Sequence, residues 1–173
     1  FLALGIVIAE SNRYTYADAT AESLGIASTY GPYQIGEPAW KDVCKAYKKE
    51  AKEFKKLVDK QKKGLICILC NDFKEDVQNK YSAHFFGQAY LLLKIKAASK
   101  AGRPKNDAIK IGIGIYGGGR ASIVRAQKST GTTLLWAPLE THMSKGDEKQ
   151  KYIVEYVNEV YKWGKYADLG NGQ

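Results

Sequence analysis

The sequence predicts a mainly α-helical fold with at most a small irregular β or loop region. Two observations carry this prediction: apolar residues recur at helical spacing in several segments, and no alternating strand pattern repeats along the chain. The 173 residues suit one domain with one core, large enough to be stable without disulfides or metals. We therefore expect a single domain over residues 1–173.

The first predicted helix is the apolar run from Phe1 to Ala9. It is too short to cross a bilayer, which takes about 20 such residues, and it lacks the features of a signal peptide. Because no initiator Met is present, we expect the chain to begin inside a longer precursor. The run ends on Glu10, and a carboxyl group at the end of a buried helix loses solvation, which favours the protonated form that a general acid requires. A solvent-facing carboxylate is the alternative.

The remaining elements follow from composition and spacing. Asn12 to Pro38 is rich in Gly, Ser, Thr and Tyr without a period, so it is predicted to be a loop or short irregular structure, long enough to form one wall of a functional site. Pro38 suits the first turn of a helix, and Ala39 to about Lys63 is predicted to form one long helix or two broken ones. Further helices are predicted over Asp72 to Ala101, Ala121 to Gln127 and Glu148 to Lys162, and further loops over Gly117 to Gly119 and Ser129 to Gly146.

The charge of the chain favours a polyanionic partner without identifying it. The formal net charge is +9, from 27 Lys and Arg against 18 Asp and Glu, which implies attraction to nucleic acid, anionic lipid or the acidic polymers of bacterial cell walls. The basic residues concentrate between Lys41 and Lys63, where helical spacing of the apolar residues indicates the solvated face of a helix. We expect no nucleic-acid partner, because no known binding motif is present.

Two short motifs suggest a metal or a nucleotide, but their contexts do not support either. Cys67 and Cys70 form C-x-x-C, yet there is no second such pair and both histidines are distant in sequence, so buried thiols are the preferred interpretation. Gly112 to Gly117 fits G-x-G-x-x-G, but the alternating strands of a dinucleotide-binding fold are missing. We expect no metal and no cofactor.

Three segments in order carry a resemblance to a known family: IVIAESNRY, STYGPYQIGEPAW and IKIGIGIYGGGR. Together they resemble the soluble lytic transglycosylase and goose-type lysozyme families of the lysozyme-like superfamily. In those families a helix ends in Glu-Ser, a loop carries Gly-Leu-Met-Gln-Ile or a relative, and a later helix carries Ala-Tyr-Asn. The counterparts here are Glu10-Ser11, Gly31 to Ile35 and Ile115 to Gly117. Leu139 to Thr141, with the helix that follows, is similar to the family's Glu-Thr-Arg segment.

The resemblance implies a lysozyme-like catalytic domain with an active-site cleft, which cleaves the β-1,4 bond between N-acetylmuramic acid and N-acetylglucosamine in peptidoglycan. Glu10 would act as general acid and then as base. Tyr33 stands where the family usually has Met, so it is either an aromatic platform for a sugar or part of the core. Gly117 stands where the family has Asn, which removes an amide from the site. The residues implied to bind the glycan are Ser11, Gly31, Tyr33, Gln34, Ile35, Tyr116, Gly117 and Glu140.

The number of carboxylates separates the mechanisms that remain open. Hydrolytic glycosidases normally use two, whereas lytic transglycosylases resemble them but use one Glu and release a 1,6-anhydro product. Asp18 and Glu22 are the candidates for a second acid, followed by Glu37 and Glu140. We favour the one-glutamate mechanism over hydrolysis of peptidoglycan or chitin. An inactive module for wall binding or structure is the alternative from another functional class.

The implied partners and compartment follow from the substrate. Peptidoglycan glycan strands are the expected partner, and the expected setting is extracytoplasmic: the periplasm, the cell wall or a phage virion. A domain cut from a larger phage or secretion assembly would suit this setting.

Overall fold

The computed structural model describes residues 2–11, 29–55, 70–79, 82–99 and 102–169. The described part of the chain contains eight helices and one two-stranded sheet. This confirms the prediction of a mainly α-helical fold with a small β region. None of the helices in these ranges is both long and apolar enough to cross a membrane.

The sheet is a short antiparallel hairpin, in which Thr29 lies opposite Gly36 and Tyr30 opposite Ile35. In chain order the elements are α1 (Leu2–Ser11), β1 (Thr29–Tyr30), β2 (Ile35–Gly36), α2 (Glu37–Lys55), α3 (Phe73–Gln78), α4 (Ser82–Ser99), α5 (Lys105–Gly118), α6 (Arg120–Thr130), α7 (Trp136–Met143) and α8 (Glu148–Leu169).

The chain forms two compact units. We call Glu10–Tyr90 the hairpin unit, and Phe1–Ala9 together with Leu91–Gln173 the α8 unit. The division falls within α1 and within α4, so each of these helices contributes residues to both units. A single domain over residues 1–173 stays a prediction.

Helix α8 organises the α8 unit. Helices α5 and α7 pack against it, and α6 packs against both α5 and α7. This confirms the prediction of a helix over residues 148–162, which extends further, to Leu169. The buried side chains of α8 recur at the three- and four-residue spacing of an amphipathic helix; they are Ile153, Val154, Tyr156, Val157 and Val160.

The glycine-rich segment of α5 is a packing feature. The G-x-G-x-x-G match lies entirely inside this helix rather than at a turn between a strand and a helix, so it lacks the geometry of the dinucleotide fingerprint. The predicted loop over Gly117 to Gly119 is wrong at its first two positions. Gly117 and Gly118 continue α5, and only Gly119, with φ of 81°, ends it.

The predicted loop over Ser129 to Gly146 is also wrong, because α7 occupies its middle. This helix buries Trp136, Leu139 and Met143 on one side. The backbone N–H of Trp136 donates to Oδ1 of Asp107 at 2.7 Å, which anchors the start of α7 to the start of α5. This hydrogen bond, between residues 29 positions apart in sequence, therefore stabilises a helix that is only eight residues long.

Helix α2 begins one residue before Pro38, which lies in its first turn as predicted. The helix carries Cys44, which forms a disulfide with Cys70. The prediction of a buried thiol is therefore wrong for Cys70, and Cys67 lies outside the described residues. The Cα atoms of the two bonded cysteines are 5.7 Å apart, within the usual range for a disulfide.

Candidate functional site

Glu10 lies at the C-terminal end of α1, on the boundary of the most apolar helix of the chain. Ile6 and Ala9 in the preceding turns are fully buried, whereas Glu10 itself is half-buried. The carboxyl group therefore belongs to a residue that directly follows buried residues, and it keeps partial access to solvent. Ser11 ends the helix, and its side chain lies outside the described residues.

The hairpin holds the Gly31 to Ile35 segment in the same compact unit as Glu10. Gly31 has φ of 75°, a backbone conformation that L side chains rarely adopt. A Cβ atom at this position would also clash with the backbone carbonyl oxygen of Val77 in α3. Gly31 is among the residues that the resemblance implies to bind the glycan, and the described group that approaches it closely is this carbonyl.

Gln34 closes the hairpin turn and has its amide side chain oriented by two hydrogen bonds. Its Oε1 accepts from Oγ1 of Thr29 at 2.6 Å, and its Nε2 donates to the carbonyl oxygen of Gly31 at 3.0 Å. The residue itself has φ of 47°, which is uncommon outside glycine. An amide has two acceptor lone pairs and two donor hydrogens, so this geometry leaves capacity of both kinds for a ligand.

Tyr33 belongs to the core of the hairpin unit. Its side chain is only 2% exposed, and its ring packs against Gly87 in α4. The hydroxyl group forms a 2.6 Å hydrogen bond with Nδ1 of His84, and burial raises the pKa of Tyr33 above its usual value. Ile35 is equally buried. Of the two roles open for Tyr33, the structure therefore shows core packing.

We expect Gly31→Ala to destabilise the protein by about 1–3 kcal/mol, because the new Cβ atom adds backbone strain at a positive φ and meets a main-chain oxygen that cannot move independently. Urea unfolding followed by circular dichroism would measure the loss. Gly102→Ala is the matched control, since Gly102 also has a positive φ but no described residue lies within 4 Å of its added Cβ atom. Equal losses in the two variants would show that the Val77 contact contributes nothing.

The other glycan-binding candidates belong to the α8 unit. Tyr116 is half-buried in the last turns of α5. Glu140 in α7 accepts a 2.8 Å hydrogen bond from Nδ2 of Asn158 in α8, so its carboxylate ties these two helices together. Gly117 has no room for a side chain, because the buried ring of Tyr156 occupies the space where its Cβ atom would lie. This packing gives a physical reason for glycine where the family pattern has asparagine.

Gly117→Asn is expected to destabilise the protein by about 1–3 kcal/mol, the usual cost of overpacking a core. Thermal unfolding would record it as a lower midpoint. In the paired variant Gly117→Asn/Tyr156→Ala, the truncated ring makes room for the amide, so adding the Asn should cost less than it does beside an intact Tyr156. If the Asn costs the same in both backgrounds, the ring is not what excludes it.

The candidate second acids are only partly covered by the structure. Asp18 and Glu22 lie outside the described residues. Glu37 is exposed at the first turn of α2, where its Oε1 lies 2.7 Å from Nζ of Lys41 in an i, i+4 ion pair. This arrangement is typical of a helix start and gives Glu37 a structural role.

A buried polar cluster beneath the hairpin was not predicted from the sequence. Asp76 is 6% exposed, and its Oδ2 accepts from Nε1 of Trp40 at 2.9 Å and from the backbone N–H of Cys70 at 2.8 Å. Cys70 has φ of 74°, held by this bond and by its disulfide to Cys44. Trp40 and the disulfide line a groove of about 490 Å³ along α2. No local sequence signal marks Asp76, since its partners lie 36 and 6 residues away.

No family model, curated protein or solved structure significantly matches this chain. The resemblance to the lytic transglycosylase and goose-type lysozyme families therefore stays a prediction.

Proposed function

We propose that the protein cleaves the β-1,4 bond between N-acetylmuramic acid and N-acetylglucosamine in peptidoglycan, with Glu10 as general acid and then base. The main support is the position of Glu10 at the end of an apolar helix that buries Ile6 and Ala9, in one compact unit with the Gly31 to Ile35 hairpin. Partial burial disfavours a charged carboxylate, and so does the negative end of the helix dipole. A general acid requires a carboxyl group in a setting of this kind.

One carboxyl group is enough for the proposed chemistry. Glu10 donates its proton to the glycosidic oxygen as the bond to the anomeric carbon breaks, and the acetamido group of the substrate stabilises the positive charge that develops there. The resulting carboxylate then accepts the proton of the muramyl 6-hydroxyl group as its oxygen attacks the anomeric carbon. Glu10 ends the cycle protonated, and the product carries a 1,6-anhydro bond.

The hairpin is assigned to substrate positioning. The amide of Gln34 is held in one orientation, with a donor hydrogen and an acceptor lone pair left unused by its hydrogen bonds to Thr29 and Gly31. An N-acetyl group of the glycan presents a matching acceptor and donor. The core contacts of Tyr33 and Ile35 fix the hairpin backbone that carries this amide.

The disulfide supports an extracytoplasmic setting. Stable disulfides form in secreted and periplasmic proteins and are rare in reducing compartments. Cys44–Cys70 is therefore consistent with a protein that meets the cell wall from outside the cytoplasm.

Release of soluble muropeptides from purified peptidoglycan tests the proposal. We expect the intact protein to release fragments from peptidoglycan and not from chitin, used here as an N-acetylglucosamine polymer without muramic acid. Release from chitin alone would make the protein a chitinase. If folded protein releases nothing from peptidoglycans of several cross-link types, the proposal fails and a binding or structural module takes its place.

A further inference from the structure

Four lysines on α2 line the groove that contains the Cys44–Cys70 disulfide. Lys41, Lys45, Lys48 and Lys49 are all exposed and follow the spacing of a single helix face. Because a helix rises 1.5 Å per residue, Lys41, Lys45 and Lys49 are spaced about 6 Å apart along the axis. The groove therefore presents a row of positive charges with a regular repeat.

Among the described residues, one ion pair involves a lysine of this row. Lys41 pairs with Glu37, whereas Lys45, Lys48 and Lys49 make no ion pair within the part of the chain that the structure describes. Asp76 lies behind the groove, but it is buried and engaged by the indole N–H of Trp40 and the backbone N–H of Cys70. A row of unpaired ammonium groups attracts polyanions.

The floor of the groove is fixed in place. The disulfide joins α2 to Cys70, two residues before the N-cap of α3, and the Trp40–Asp76 hydrogen bond joins α2 to α3 itself. Cys44 and Cys70 are 6% and 8% exposed, so the disulfide lies just below the surface. The floor of the groove would therefore lose little conformational entropy when a ligand binds.

We propose that this lysine groove is a docking surface for a linear phosphodiester polymer of the kind attached to bacterial cell walls. Lysine acts as a point charge, whereas arginine is the residue suited to planar, bidentate recognition of a single anion. Among the described residues no arginine lines the groove, so it suits a flexible chain of repeated single charges. The anion-binding surface stands independently of the chemistry at Glu10, while the choice of a wall polymer rests on the proposed function.

The aromatic content of the groove favours such a polymer over nucleic acid. Proteins that bind single strands stack successive bases on several aromatic rings. Trp40 is the only aromatic residue in the described part of the lining, and it is half-buried with its indole N–H held by Asp76. The described part of the lining therefore presents positive charge without the several aromatic rings on which bases stack.

The test is the affinity of the protein for poly(glycerol phosphate), measured by titration calorimetry at low ionic strength. In the groove variant Lys45→Glu/Lys49→Glu we expect at least about a tenfold loss of affinity, because each change removes an attraction and adds a repulsion. The matched control is Lys145→Glu/Lys149→Glu, which changes the net charge equally at exposed sites on either side of the start of α8. This control should bind within about twofold of the unmodified protein, because it leaves all four groove lysines in place.

Three outcomes would overturn the inference. They are the absence of binding by the unmodified protein, equal losses in the groove and control variants, and tighter binding of single-stranded DNA with the same number of phosphates. Cleavage is tested separately on peptidoglycan stripped of phosphate polymers. The groove variant should cleave this substrate at the normal rate, and Glu10→Gln should bind the polymer normally. Failure of the proposed function and failure of this inference are thereby distinguishable.

Discussion

Replacing Glu10 with Gln is expected to lower the rate of peptidoglycan cleavage by about 10²–10⁴-fold, the usual contribution of a positioned general acid. The amide has almost the same shape as the carboxyl group, but it cannot transfer a proton to the leaving oxygen or take one back. Because Glu10 is half-buried at the end of α1, this isosteric change creates no cavity. The rate of fragment release from purified peptidoglycan measures the effect, and circular dichroism confirms that the helices remain.

Glu37→Gln is the matched control for this experiment. It makes the same chemical change in the same compact unit, but at an exposed residue whose partner is Lys41. Loss of an exposed ion pair costs about 0–1 kcal/mol of stability. The substitution removes no group that we assign to catalysis. We therefore expect normal cleavage by Glu37→Gln. If both variants are equally active, Glu10 is not the acid; if both are equally inactive, the substitution acts through the fold.

Removing the Cys44–Cys70 disulfide is expected to destabilise the protein by about 3.5 kcal/mol, the loop-closure value for a loop of this length. The bond closes a loop of sequence separation 26 and ties α2 to the start of α3. Val77 in α3 supports the backbone of Gly31, so the loss should also loosen the hairpin. Urea unfolding of Cys44→Ala/Cys70→Ala against the unmodified protein measures the change in the free energy of unfolding.

A reducing agent provides the control for the disulfide experiment. Dithiothreitol should destabilise the unmodified protein by a similar amount and leave Cys44→Ala/Cys70→Ala unchanged, because that variant has no bond to break. A loss below about 1 kcal/mol in both experiments would contradict the cross-link model, in which a closed loop restricts the unfolded chain.

The sequence predicts the long helices of this fold because their apolar spacing is local information. Helix α8 is an example, since its buried face can be counted directly from residues 153–160. Helix α7 is missed because Gly, Thr and Ser flank it, although Trp136, Leu139 and Met143 have helical spacing. Gly117 and Gly118 look like a turn, yet contacts with Tyr156 and Ile153 override their low helix propensity.

The sequence predicts those features of the candidate site that one local segment determines. It does not predict the contacts between segments that are distant along the chain. The position of Glu10 at the end of an apolar helix follows from the first ten residues alone. The partners of Gly31 and Tyr33 are Val77 and His84, which lie 46 and 51 residues further along the chain. Likewise, neither the disulfide nor the buried Asp76 has a local signature, because each links α2 to a segment that only the folded chain brings near.

Mass spectrometry of the muropeptides released by the unmodified protein and by Glu10→Gln tests the central claim most directly. The one-glutamate mechanism predicts products that are lighter by one water molecule than reducing-end muropeptides, and these products should be absent with Glu10→Gln. Release of the same products by Glu10→Gln, or no release by the folded unmodified protein, would contradict it.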